Sequence, residues 1–390
     1  LENPEQGIQV LEQMADANPQ HQPTVESLEF LVQQLPLRLR VARILERVYE
    51  ATDQWKKLIA IYQARAELSQ DPQEQIELYR LAAVLHEERG ENYRLAMEAW
   101  SKAYLIDSNQ DAVRYELERL AEIGGLWGQL AAVLEEAARE DTPHEERLAL
   151  LDTVAELYNT RINDPASAVR VYEKMLTLRE PEDSEPILLR LSELYTSTAN
   201  LSALASVFER RAKIAQDPVE RYELWLKAAT AYETELHDDI QAVAAYRHAT
   251  QSQPENQNAW EALDRLYEKQ HQHNELSEVL ETRIRLEKDT LNRARLRFRL
   301  AELYEMHLGR LKEAISNYLS VLDDEPSNVM AMERLLATYQ AEKMWPDYVE
   351  LLQKRMAVET DVSSLALWHT RAAQACQREL TNPDRAFTHY

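Results

Sequence analysis

Apolar residues recur three and four positions apart along almost the whole chain. Leu296, Leu300, Leu303 and Tyr304, followed by Ala314, Ile315, Tyr318 and Leu322, read as helix, short turn, helix. The breaks carry helix-starting chemistry: Asp164-Pro165, Asp217-Pro218, Glu325-Pro326 and Asn382-Pro383 place an acceptor or a proline where a new helix would begin. The pattern itself repeats. Ala and an aromatic four residues apart occur as Ala96/Trp100, Ala168/Tyr172, Ala242/Tyr246, Ala314/Tyr318 and Ala386/Tyr390, with alanine steps of 72, 74, 72 and 72. An interleaved series, Leu45/Tyr49, Leu117/Ala121, Leu191/Tyr195, Leu263/Tyr267 and Leu335/Tyr339, keeps the same steps, so the unit is about half of 72. Ten helix hairpins are expected, at 37–69, 75–109, 111–140, 145–180, 185–215, 218–253, 257–287, 291–325, 328–358 and 362–390. The fold class is all-α, an α-solenoid built from antiparallel hairpins.

Composition narrows the function classes. Six glycines in 390 residues, against roughly 27 at average usage of about 7%, leave no Gly-rich phosphate loop and disfavour hairpin-rich β folds. A formal charge of −24 argues against a nucleic-acid backbone or an anionic membrane as the main partner. No apolar run is long enough to span a bilayer. Cys376 alone cannot form an internal disulfide, which makes a cytoplasmic location the expectation, with the periplasm compatible because the N-terminus reads as missing.

At the residue level the repeat resembles the tetratricopeptide repeat, in the form of a long bacterial-type array. Trp225, Ala228, Ala229, Tyr232, Ala242, Tyr246, Ala249 and Pro254 follow the order of its signature in one unit; Trp260, Leu263, Tyr267, Leu276 and Leu280 follow it partly in the next. The resemblance implies a right-handed superhelix in one domain over 1–390: a partial hairpin and an extra helix (Thr24 to Leu35) in 1–36, then about ten hairpins in 37–390. The last hairpin is cut short, and the chain is expected to be part of a longer array. Two departures stand out. Alternate units are one residue longer between their helices, and the small residue of the second helix is replaced by Arg65, Arg211, Arg283 and Arg355, only Ala137 conforming. Those arginines are expected to lie along the packing with their heads on acids of a neighbouring hairpin. Trp55, Trp100, Trp127, Trp225, Trp260 and Trp345 occupy packing positions of the repeat.

In this family the first helices line a concave groove. Carrying the register over places Arg40, Arg43 and Arg47 on that face, then Ile76, Tyr79, Ala83 and His86, then Ala112, Tyr115, Arg119 and Glu122, with Arg295 and Phe298 farther along. The expectation is a basic, aromatic groove in an acidic protein, suited to an acidic peptide or a chain-terminal carboxylate; the competing reading is a solvated face whose arginines pair with local acids. Charge is uneven, with 20 acidic and 10 basic residues in 101–200 but nine of each in 251–300.

No catalytic arrangement, cofactor or metal site is expected. His271 and His273, near Glu268 and Glu275, lack the wider ligand spacing of a metal centre, and Cys376 takes the place of a repeat tyrosine. The leading expectation is a non-enzymatic scaffold for a protein or peptide partner. The alternative is the regulatory or substrate-recruiting arm of an enzyme whose catalytic domain lies outside the chain. RNA binding is disfavoured by charge, and self-association through bare solenoid ends is a further expectation.

Overall fold

A computed structural model describes residues 4–33 and 38–380, and every regular element among them is helical. Contacts divide the chain into two compact units, Leu1–Leu194 and Tyr195–Tyr390. The first contains α1 (Pro4–Ala17), α2 (Gln22–Leu31), α3 (Arg38–Ala51), α4 (Trp55–Leu68), α5 (Pro72–Glu88), α6 (Tyr93–Ile106), α7 (Asp111–Gly124), α8 (Trp127–Ala137), α9 (His144–Leu157) and α10 (Pro165–Leu176). The boundary falls within α11 (Glu185–Ser197). The second unit continues with α12 (Leu201–Ile214), α13 (Pro218–Thr230), α14 (Asp239–Ser252), α15 (Gln257–Lys269), α16 (His273–Leu286), α17 (Thr290–Leu303), α18 (Leu311–Asp324), α19 (Val329–Ala341), α20 (Trp345–Val358) and α21 (Val362–Arg378). The extra helix is α2, which ends at Leu31 where Leu35 was expected, and Leu35 lies outside the described residues. So do Asn382-Pro383 and Ala386/Tyr390.

Within each unit successive helices pack against one another, α5 between α4 and α6, α13 between α12 and α14, α17 between α16 and α18. The repeating residues make these contacts. Ala96, Ala168, Ala242 and Ala314 are fully buried and let backbones approach, while Trp100, Tyr172, Tyr246 and Tyr318 fill the space beside them. Each such aromatic contributes on the order of 1.5–3 kcal/mol by burial. Two of the hydroxyls reach acids one turn-connection away: Tyr246 donates to Glu233 at 2.9 Å and Tyr318 to Glu305 at 2.9 Å.

The one-residue alternation has a structural cause at the end of the first helix. In the shorter hairpins the chain closes with a left-handed residue, Asp53, Gly125, His271 or Lys343, and the next amide bonds back five residues, as from Leu126 to Ala121 and from Gln272 to Tyr267, both at 2.9 Å. In the longer ones the left-handed residue is Glu91, Asn163, His237 or Gly309, and the amide after it reaches back six residues, as from Asp164 to Tyr158 and Asp238 to Tyr232, both at 2.8 Å. In three of these four the extra residue is taken up as a π-helical turn, at 158–162, 231–235 and 304–308, so there the alternation sits inside the helix rather than in the connection; after α5 the helix ends at Glu88 without one.

Asp164 and Asp217 cap α10 and α13 as expected, accepting from the amides of Ser167 and of Val219 and Glu220. Glu325-Pro326 does not start a helix. Glu325 follows the end of α18, and Asn328 caps α19 through the amide of Ala331 at 3.0 Å. Asparagine wins because its short side chain reaches back to the third amide from a β-region backbone, whereas the glutamate is one methylene too long.

The arginines of the second helices turn inward, but chiefly to acids of their own hairpin. Arg65 bonds Glu46 and, in the next hairpin, Glu74 at 2.6 Å. Arg283 bonds Asp264 and lies 3.2 Å from Glu261. Arg355 pairs with Glu359 at 2.9 Å. Asp264, only 2% exposed, also takes both nitrogens of Arg299 at 2.6 and 2.9 Å, tying α15, α16 and α17 together. Asp324 receives Arg293 and Arg297, each at 2.6 Å. Four arginines of the basic stretch 283–299 are therefore neutralised inside the fold.

Candidate functional site

A first helix that packs against a neighbour on each side keeps one narrow line of residues open. On α5 that line is Gln73, Glu77, Arg80, Val84 and Glu87, spaced four, three, four and three. On α9 and its π-helical turn it is Glu145, Ala149, Asp152, Glu156 and Asn159, each 72 residues on. On α7 it is Tyr115, Glu118 and Glu122.

The anticipated groove residues fall differently on the three helices. Ile76, Tyr79 and Ala83 are 6%, 8% and 0% exposed, so their stripe on α5 faces the core. The open line is rotated by one residue, about 100°, because Leu78, Tyr79, Ala82 and Ala83 fill the contacts with α4 and α6. Tyr79 is thus a packing residue with Lys102 over its ring, and its hydroxyl pKa is raised by burial. His86 is half-buried beside it, and the same desolvation lowers its imidazole pKa.

Arg40, Arg43 and Arg47 do project from α3, yet none is free. Arg47 lies 2.8 Å from Glu12 and 3.3 Å from Asp16, Arg40 lies 3.4 Å from Glu12, and Arg43 lies 3.6 Å from Glu74. The hydrogen bond from Arg47 holds the Glu12 carboxyl below its usual pKa. Arg295 is exposed, 3.5 Å from the Asn292 side chain, and Phe298 is half-buried edge-on to Tyr318 at 5.4 Å.

Two anticipated residues come together. Tyr115, 65% exposed, and Arg119 line a pocket of about 370 Å³ with Glu118, Glu122, Trp127, Leu130, Thr153, Leu157 and Arg161. Arg119 is clamped by Glu87 at 2.6 and 2.8 Å and by Glu116 at 2.8 Å, and those bonds raise its pKa. The Arg161 guanidinium lies over the Trp127 ring, 4.8 Å from its centroid. Glu118 pairs with Arg114 at 3.0 Å, while Glu122, on the same open line, makes no ion pair among the described residues. An exposed tyrosine, a half-buried tryptophan, an apolar floor and a surplus carboxylate can hold a side chain by stacking and charge together.

The tetratricopeptide repeat family model matches residues 43–76, from within α3 through α4 into α5. That stretch is a tetratricopeptide repeat. No curated protein matches the chain. Among solved structures, a crystal structure of MamA protein is 14% identical over 45% of this chain and 91% of its own, with a TM-score of 0.28. The structure of Naa15/Naa10 bound to HypK-THB is 12% identical over 98% of this chain and 67% of that one, with a TM-score of 0.27. Yeast Tom70 is 12% identical over 99% of both chains, with a TM-score of 0.25.

Sequence reasoning passed over two pocket residues of this repeat protein. Trp127 was assigned to packing, and it does begin α8 half-buried, but its ring also forms a pocket wall. Arg161 carried a readable signal. Its repeat position reads Arg89, Arg161, Glu235, His307 and Glu379, a change of charge from copy to copy that pure packing positions do not show.

Proposed function

We propose that the chain is a non-enzymatic scaffold that binds a protein or peptide partner along the open line of its first helices, with Tyr115 at the centre of the contact. The observation that carries this reading is the pocket between α7, α8 and α9, where an aromatic ring 65% exposed stands over apolar residues already arranged around a space of about 370 Å³. Tetratricopeptide repeats are protein-binding modules, and a large exposed aromatic rimmed by polar groups has the composition of a binding hot spot. Arg119 serves as a fixed wall, since its donors are already engaged. An acidic partner on Arg40, Arg43 and Arg47 would have to displace Glu12, Asp16 and Glu74 first, so that version of the contact is disfavoured.

The test is selection of binding peptides from a random display library on the whole chain, followed by affinity measurement against Tyr115→Ala and the control Tyr93→Ala. Tyr93 is also exposed, at 39%, but lies outside the pocket. Selected peptides should lose at least about tenfold in affinity with Tyr115→Ala, the equivalent of one lost hot-spot contact, and little with Tyr93→Ala. Selected peptides indifferent to Tyr115 would overturn the placement of the site.

A further inference from the structure

Given the binding face proposed above, the charges that the fold leaves unspent select the ligand class of this site. On α5, on α7 and on the π-helical turn after α9, every guanidinium already has a partner. Arg80 is held by Glu77 at 2.5 Å, Arg119 by Glu87 and Glu116, Arg114 by Glu118, and Arg161 by the Trp127 ring. The carboxylates are in surplus: Glu122, Glu145 and Asp152 are exposed and make no ion pair among the described residues. This local excess has the same sign as the formal charge of −24.

Tyr115, Glu118 and Glu122 stand on successive turns of α7, at i, i+3 and i+7, so the ring and both carboxylates address the same pocket. Across that pocket Arg161 shows what the aromatic wall accepts, a guanidinium stacked on an indole.

We propose that this pocket takes a lysine or arginine side chain from a basic peptide segment, the cation lying against Tyr115 with Glu118 and Glu122 beside it and further basic residues following the Asp152 and Glu145 line of α9. Charge complementarity selects the ligand and the ring places it. This inverts the acidic ligand expected from the arginines of α3, because those arginines are internally neutralised whereas Glu122, Glu145 and Asp152 of α7 and α9 are not.

The experiment is fluorescence anisotropy on the whole chain with three labelled decapeptides of equal length: one rich in arginine and alanine, one in which glutamate replaces arginine, and one neutral. The arginine peptide should bind, weaken as salt rises from 50 to 200 mM, and lose about tenfold in affinity with Glu118→Gln/Glu122→Gln and again with Tyr115→Ala. Glu220→Gln/Glu223→Gln, an equal charge change on α13, should leave it unchanged. Equal weakening by the α13 pair would mean unspecific attraction to an acidic chain and would overturn the proposal, as would absence of binding. Tyr115-dependent binding of the neutral or acidic peptide alone would also overturn it, while leaving the binding face itself standing. Circular dichroism melting of each variant should match the wild type, because all the substituted side chains are exposed.

Discussion

The same repeat position does different chemistry in the two units. Where α8 begins in the first unit, Trp127 meets Arg161 of the following π-helical turn, with the guanidinium 4.8 Å from the ring centroid. The equivalent pair in the second unit, 146 residues on, is His273 and His307, two imidazoles stacked at 4.1 Å and 16°, with His271 at 6.1 Å. In both of these copies two flat groups lie face to face. Their chemistry differs: the first unit holds a permanent cation on a quadrupole, the second two stacked imidazoles. The arginine clamps differ in the same way. Arg65 in the first unit has two separate acids, Glu46 and Glu74, whereas Asp264 in the second is one buried acid shared by Arg283 and Arg299.

The sharpest way to break the comparison is at those clamps. Asp264→Ala should cost about 3 kcal/mol, at the low end for breaking a buried ion pair because Glu261 and Glu268 remain within reach of the two arginines. Glu46→Ala should cost about 1–2 kcal/mol, since Arg65 keeps Glu74. Urea unfolding of both variants checks the order, and equal losses would show that sharing one acid gives the second unit no special dependence on it.

Exchanging the junction chemistry comes next. His273→Trp/His307→Arg should gain about 0.5–1 kcal/mol in the second unit. Urea unfolding of the double variant reads the gain, and its absence would remove the distinction between the junctions.

Smaller effects are expected at the left-handed caps. Gly125 and Ala199 are equivalent, at φ of 65° and 52°. Gly125→Ala should destabilise by about 1 kcal/mol, and Ala199→Gly should stabilise by about 0.5 kcal/mol after the entropy that glycine adds to the unfolded chain. Thermal melts of the two single variants give the sign directly.

The smallest contrast is in acid. Hydrogen bonding from Arg293, with Arg297 nearby, holds Asp324 below its usual pKa, so its contribution is complete above about pH 4 and is lost as pH falls through the lower folded value. Burial outweighs Arg65 at Glu46 and raises its pKa, so its contribution has the opposite sign, present at low pH and lost as pH rises through the higher folded value. Asp324→Asn should flatten the acid limb of the stability profile and Glu46→Gln should steepen it.

Much of the fold was legible because burial and periodicity are local. The alanine and aromatic positions that recur every 72 to 74 residues are those buried between successive helices, and Asp164 and Asp217 cap the helices they precede. The site was less legible. Tyr115 is exposed beside Arg119 in one pocket while Tyr79 is buried, since a one-residue difference in register turns a helix face by about 100° and only the contacts with α4 and α6 decide which way it turns.

By itself the sequence determined a tetratricopeptide-type array of helix hairpins with a one-residue alternation, because side-chain size and helix period act over a few neighbouring residues. Only the tertiary structure decided that the alternation is a π-helical turn in three of the hairpins, which arginines are spent and which acids are left over. Those outcomes depend on partners 19 to 36 residues away, as in Arg283 with Asp264, Arg119 with Glu87 and Arg89 with Asp53. A charge count along the chain cannot see which of two opposite charges will be folded against each other.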